Sequence, residues 1–149
     1  MATGDAVDTV LVPIDGSDEA EEAAEYAVAI AARYDAEVHA LVVLGEEASR
    51  AVEDGTIDAE AAASEAQSMA DAAAAIAERE AVPFTHSSAL GYSTTRKLVH
   101  PGSVILDAAE QIDADFLVIP RESGVEADDV LEKAAEYVLS YASQPVLSV

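Results

Sequence analysis

The stretch Thr9-Val-Leu-Val-Pro-Ile-Asp-Gly-Ser17 decides the fold. Its first six residues are apolar or β-branched with no alternation, the pattern of a strand covered on both faces. The run stops at Asp15-Gly16-Ser17, three residues suited to a tight turn, and a helical pattern follows at once. Ser17 or Asp18 is placed to cap that helix, and Glu19, Glu21 and Glu22 suit its positive end. Ala20, Ala23, Ala24, Ala27, Val28 and Ala31 then recur at helical spacing as one apolar face. A face made of alanine brings a helix axis close to whatever it covers, so the reading is strand, turn, and a helix lying tightly on a sheet.

The same unit recurs outward along the chain. Residues 37–44 predict a second strand, nearly continuous through Leu41, Val42, Val43 and Leu44. Residues 58–80 predict a long amphipathic helix with Ala62, Ala66, Met69, Ala73 and Ile76 on one face. Its three heptads with an alanine seam suit sheet packing better than a coiled coil. Residues 83–90 predict a third strand, whose His86, Ser87 and Ser88 mark it as an edge. Residues 91–102 are irregular and end in the turn signal His100-Pro101-Gly102. A helix over 103–112, a strand over 116–119, a loop over 121–126, a helix over 127–142 and a strand over 145–149 complete the chain. Strand alternating with helix from end to end predicts an α/β three-layer sandwich: a five-stranded parallel sheet with helices on both faces and right-handed crossovers. One domain spanning 1–149 is expected, since no boundary or repeat interrupts the alternation.

Composition narrows what this sheet does. Thirty acidic residues against seven basic ones give a formal net charge of −23. That charge repels phosphate backbones and anionic membrane surfaces, so nucleic acid and membrane are not expected partners. The acids are interleaved with apolar periodicity instead of forming a tail, which argues for a folded surface adapted to concentrated salt, as in a halophile. At molar salt the screening length shrinks to about 3 Å and self-repulsion is suppressed. The N-terminus carries acids where a secretory signal has basic and apolar residues, so a cytoplasmic location is expected. The chain has no cysteine, which removes thiol nucleophiles, disulfides and thiolate metal sites. His39, His86 and His100 share no ligand spacing with carboxylates, and no Gly-x-Ser-x-Gly elbow occurs, so neither a metal site nor hydrolase chemistry has support.

Three ordered segments carry a resemblance. Val10-Leu-Val-Pro-Ile-Asp-Gly-Ser17 resembles the opening strand and turn of the universal stress protein family. Ala114-Asp-Phe-Leu-Val-Ile119 is similar to that family's fourth strand, and Ala135-Glu-Tyr-Val-Leu-Ser-Tyr-Ala-Ser-Gln-Pro-Val-Leu-Ser-Val149 to its last helix and strand. The resemblance implies a flavodoxin-like, Rossmann-like sheet of order 3-2-1-4-5, with ligands beyond the carboxyl ends of strands 1 and 4. It also implies an adenosine half-site at Pro13, Ile14, Asp15 and Val43, with Asp15 accepting from ribose hydroxyls and the Val43 backbone reading an adenine edge. The alternative for Asp15 is that it only closes the turn.

The phosphate half of the implied site is altered. Nucleotide-binding members of the family follow strand 4 with glycine, two residues, glycine, nine residues, then glycine and a hydroxyl residue. Here Pro120 stands at the first glycine, Ser123 or Gly124 at the second, and Glu132-Lys133 at the final pair. Pro120 has no amide to offer a phosphate, and Glu126, Asp128, Asp129 and Glu132 add negative charge. The expectation is no cofactor, ATP binding in the family's manner being disfavoured. The expected protein is a non-enzymatic stress-response dimer acting by binding, with an adenine nucleotide or small-metabolite module as the alternative. The resemblance implies that the homodimer forms through the terminal strand Pro145-Val-Leu-Ser-Val149. Thr95, Arg96 and Lys97, with Arg121, remain a candidate anion loop, although a solvated loop pairing with the acidic surface is the preferred reading.

Overall fold

The structure, a computed structural model, describes residues 7–44, 46–90, 100–120 and 130–149. Strand β1 (Thr9–Ile14) is buried from Val10 onward and lies at the centre of one five-stranded sheet of order β3-β2-β1-β4-β5. All four strand pairings are parallel. The other strands are β2 (Glu37–Leu44), β3 (Phe84–Leu90), β4 (Phe116–Ile119) and β5 (Val146–Ser148). The expected sheet and strand order are therefore present, with β3 at one edge and β5 at the other. The terminal strand is shorter than the sequence suggests, three residues in place of five.

Among the described residues five helices accompany the sheet: α1 (Asp18–Tyr34), α2 (Glu46–Glu53), α3 (Ala59–Arg79), α4 (Pro101–Gln111) and α5 (Val130–Tyr141). Helices α1 and α3 pack together in one layer, and α4 and α5 in the other. The six apolar positions read on α1 are its six buried residues, Ala20, Ala23, Ala24, Ala27, Val28 and Ala31. Bulk comes from the strands and α4, where Leu11, Ile105, Leu117 and Ile119 are wholly enclosed. Each such side chain contributes about 1.5–3 kcal/mol of apolar transfer, against far less for an alanine. Alanine on α1 therefore sets distance, and the larger residues supply the driving force.

Two details differ from the sequence reading. Helix α2 was not anticipated, because residues 46–53 carry charges without a long apolar repeat. It is tied to the end of β2 by Ser49, fully buried, whose Oγ donates to the Leu44 carbonyl at 3.1 Å. Helix α4 begins two residues early, at Pro101, because proline suits the first helical position, where its missing amide has no partner to lose. His100 caps it, with Nδ1 accepting from the Gly102 amide at 2.9 Å.

Candidate functional site

The carboxyl ends of the strands are where this architecture leaves room. Strands β1 and β2 stay in register for the whole of β1, from Thr9 with Glu37 to Ile14 with Val42. Strands β1 and β4 are paired only at Val10 with Phe116 and Leu11 with Leu117. Their register pairing ends there, and the crevice outside the strand ends at this point, where the strand order reverses, is the usual ligand position in such sheets.

Four residues expected to form an adenosine half-site line up on the β1–β2 side of this crevice. Pro13 and Ile14 are buried at the end of β1, and Val43, 1% exposed, is buried near the end of β2. The strand register sets Pro13 opposite Leu41, so Pro13 and Val43 share the sheet face turned toward α4 and α5. Ile14 turns the other way, into a groove between α1 and α3. The Ile14 and Val43 side chains are therefore enclosed in the fold, and neither is presented to a ligand at the strand ends.

Asp15 is half-buried and already engaged. Its Oδ1 accepts from the Ser17 amide at 3.0 Å and from the Ser17 hydroxyl at 2.5 Å. Ser17 Oγ in turn accepts from the Ala20 amide at 3.2 Å as the cap of α1. Gly16 between them has φ of +86°, a conformation that favours glycine. Asp15 thus performs the turn-closing role, and one carboxylate oxygen remains outside these bonds. Ser17, placed among two alternatives by sequence, is the cap; Asp18 is the first helical residue.

Pro120 follows β4 directly and is buried. Continuing the offset that sets Leu11 beside Leu117 brings Pro120 level with Ile14, at the mouth of the crevice. Pro120, the residue expected to stand at the family's first phosphate-binding glycine, has a buried ring and no amide to donate. Arg121, Ser123, Gly124, Glu126, Asp128 and Asp129 lie outside the described residues, as do Thr95, Arg96 and Lys97 of the candidate anion loop. The α1–α3 groove, about 350 Å³, has Glu21 and Glu65 on its walls and Met69 laid against Gly16. Its carboxylates disfavour an anionic ligand, and sequence gave no hint of it beyond Met69 lying on the inner face of α3.

The histidines are structural or solvent-facing. His39 on β2 binds two β3 hydroxyls, with Nδ1 2.7 Å from Thr85 Oγ1 and Nε2 2.9 Å from Ser87 Oγ. Burial holds its pKa below the ordinary value of 6.5; the nearby His86 acts in the same direction and Glu37 in the opposite one. His100 stacks on Tyr137 with ring centroids 4.6 Å apart. Among the described residues no three histidine or carboxylate side chains converge as metal ligands, and no helix is long and apolar enough to cross a membrane.

Comparison with known proteins agrees with this architecture. No match is found among curated proteins. Among solved structures, the universal stress protein UspA from Lactobacillus plantarum is 25% identical, with a TM-score of 0.70, over 97% of this chain and 98% of that one. A universal stress protein solved in complex with cAMP is 23% identical, TM-score 0.62, over 97% of both chains. One from Archaeoglobus fulgidus in complex with dAMP is 22% identical, TM-score 0.61, over 95% and 96%. The profile described as the universal stress protein family matches residues 6–149. A 3-2-1-4-5 sheet with its turn at Asp15-Gly-Ser17, matched by that profile over nearly its whole length, makes this chain a member of the universal stress protein family.

Proposed function

We propose that this protein is a non-enzymatic stress-response protein of a salt-rich cytoplasm, which acts by binding and does not hold ATP in its family's manner. The observation that carries the reading is buried Pro120 at the carboxyl end of β4. Where related nucleotide binders present a glycine amide, this chain presents a ring, which withholds a donor and occupies space. The acids at Glu126, Asp128, Asp129 and Glu132 add repulsion toward a triphosphate. Self-association is part of the reading: β5 ends one side of the sheet, and an open strand edge invites a second chain. Val146 and Leu147 are half-buried there.

A second reading, a binding module for adenosine or a nucleoside monophosphate, is favoured by the ends of β1 and β4, where their register pairing stops at the strand-order reversal. Relatives with this fold have been solved with cAMP and dAMP, and the backbone at Val43 and one oxygen of Asp15 remain at the corresponding strand ends. The two readings are compatible, since a monophosphate does not need the altered loop. Phosphate release from ATP with magnesium at molar KCl tests the non-enzymatic part. Release no faster than in buffer is expected, and turnover abolished by Asp15→Asn would overturn it.

A further inference from the structure

The second edge strand of the sheet, β3, has no strand on its outer side among the described residues, and it has properties that β5 does not share. The Val38 amide donates to the Pro83 carbonyl at 2.9 Å. In a parallel ladder this phase turns the backbone groups of residues 85, 87 and 89 toward β2, and those of Phe84, His86 and Ser88 outward. Soluble proteins blunt such edges with shortness, charge, proline or a bulge. Strand β3 uses none of these. It runs seven residues, Phe-Thr-His-Ser-Ser-Ala-Leu, without lysine, carboxylate or proline. It pairs with β2 without a bulge, from Val38 with Phe84 to Leu44 with Leu90. Thr85, His86, Ser87 and Ser88 are all exposed.

Charge singles out the same element. About one residue in five of the chain is acidic, yet the 26 residues from Ala81 to Leu106 contain no Asp or Glu. Two molecules of net charge −23 repel wherever carboxylates meet, and the repulsion is least where a strand has none. An edge strand is also self-complementary, because antiparallel pairing about a two-fold axis satisfies each outward amide with an outward carbonyl of the same sequence.

We propose that the β3 edge is a self-association surface, where two copies of this chain pair antiparallel through their β3 strands into one continuous sheet. With His86 on the two-fold axis, Phe84 faces Ser88 of the second copy. On the other face Thr85 meets Ser87, hydroxyl to hydroxyl. His39, which holds both hydroxyls from β2, keeps that row ordered before the second copy arrives. The pairing does not depend on β5: if both edges associate, β3 joins pairs already made by β5.

Sedimentation velocity at molar KCl over a range of concentrations tests it with two variants. His86→Pro removes only an outward-facing amide, so the internal ladder is kept while edge pairing in any register is blocked. His86→Asp leaves the backbone intact and sets like charges opposite each other across the two-fold. The mass of the wild-type assembly should fall in both variants, from dimer to monomer, or from larger open-ended assemblies to dimer where β5 also pairs. Unchanged mass in His86→Asp, or a wild type that stays monomeric at every concentration, would overturn the proposal. A halved mass in His86→Pro that leaves monomers refutes pairing through β5 alone, which separates the two edges.

Discussion

Gly102 and Tyr137 are in such close approach that a Cβ on Gly102 would lie 2.5 Å from the Tyr137 ring carbon Cδ1 and 2.6 Å from its Cβ. The first turn of α4 thus touches α5 through a bare backbone, and the same tyrosine stacks on the capping His100. Cap, glycine and ring form one unit that fixes how α4 and α5 sit together on their face of the sheet, where α4 meets β2 and β3 and α5 meets β2 and β5.

Gly102→Ala should therefore destabilise by about 1–3 kcal/mol, the usual cost of overpacking a well-filled site. Thermal denaturation at molar KCl measures it. In the Tyr137→Gly background, which removes both the ring and the Cβ, the added methyl should cost little, and an equal cost in both backgrounds would show that Tyr137 is not the obstacle.

Ser17→Ala should cost about 1 kcal/mol, since the Ala20 amide loses its capping oxygen. It also removes the hydroxyl donor to Asp15 Oδ1, while the residue-17 amide still donates to that oxygen. Chemical denaturation reads the first effect. A ligand that uses the Asp15 carboxylate should then bind with altered affinity, whereas one that uses only backbone groups should not.

His39 gives the fold an acid sensitivity whose sign is fixed. Burial, and secondarily His86, hold its pKa below the ordinary 6.5, so the folded state prefers the neutral ring. The unfolded chain binds the proton more readily, and stability is complete above pH 6.5 and declines as pH falls through that value toward the lower folded pKa. His39→Gln should flatten that decline in denaturant midpoints measured from pH 8 to 5. A wild type that gains stability on acidification through this window contradicts the assignment.

The surface charge predicts a salt requirement. At low ionic strength the net charge of −23 repels itself across the whole surface, and raising KCl to molar levels screens it. The melting temperature should climb steeply with KCl. A flat or falling curve would remove the argument for a salt-rich compartment.

How far the sequence could be read is clearest at particular residues. The β1 run and the α1 alanine face were legible because period and composition alone specify a covered strand and a close-packed helix. The edge position of β3 was legible from its polar His86, Ser87 and Ser88, and the structure exposes all three. Helix α2 was not, because its tie to β2 is a buried hydroxyl, Ser49 on the Leu44 carbonyl, a contact with no sequence period. Pro101 and Gly102 read as a turn, since their helical role depends on Tyr137 from a helix some thirty residues away. At the site, Pro13, Asp15 and Val43 were identified by resemblance and lie at the expected strand ends. That Ile14 faces a different groove, and that Asp15 is occupied by Ser17, follows from strand parity and side-chain geometry that motif matching does not encode.

The central claim is that Pro120 removes the triphosphate half of an inherited site while leaving the adenosine half. The ratio of ATP to AMP affinity at molar KCl, measured by equilibrium dialysis, tests it most directly. ATP binding no tighter than AMP is the predicted result; ATP binding tenfold more tightly, about 1.4 kcal/mol of added phosphate interaction, would contradict it.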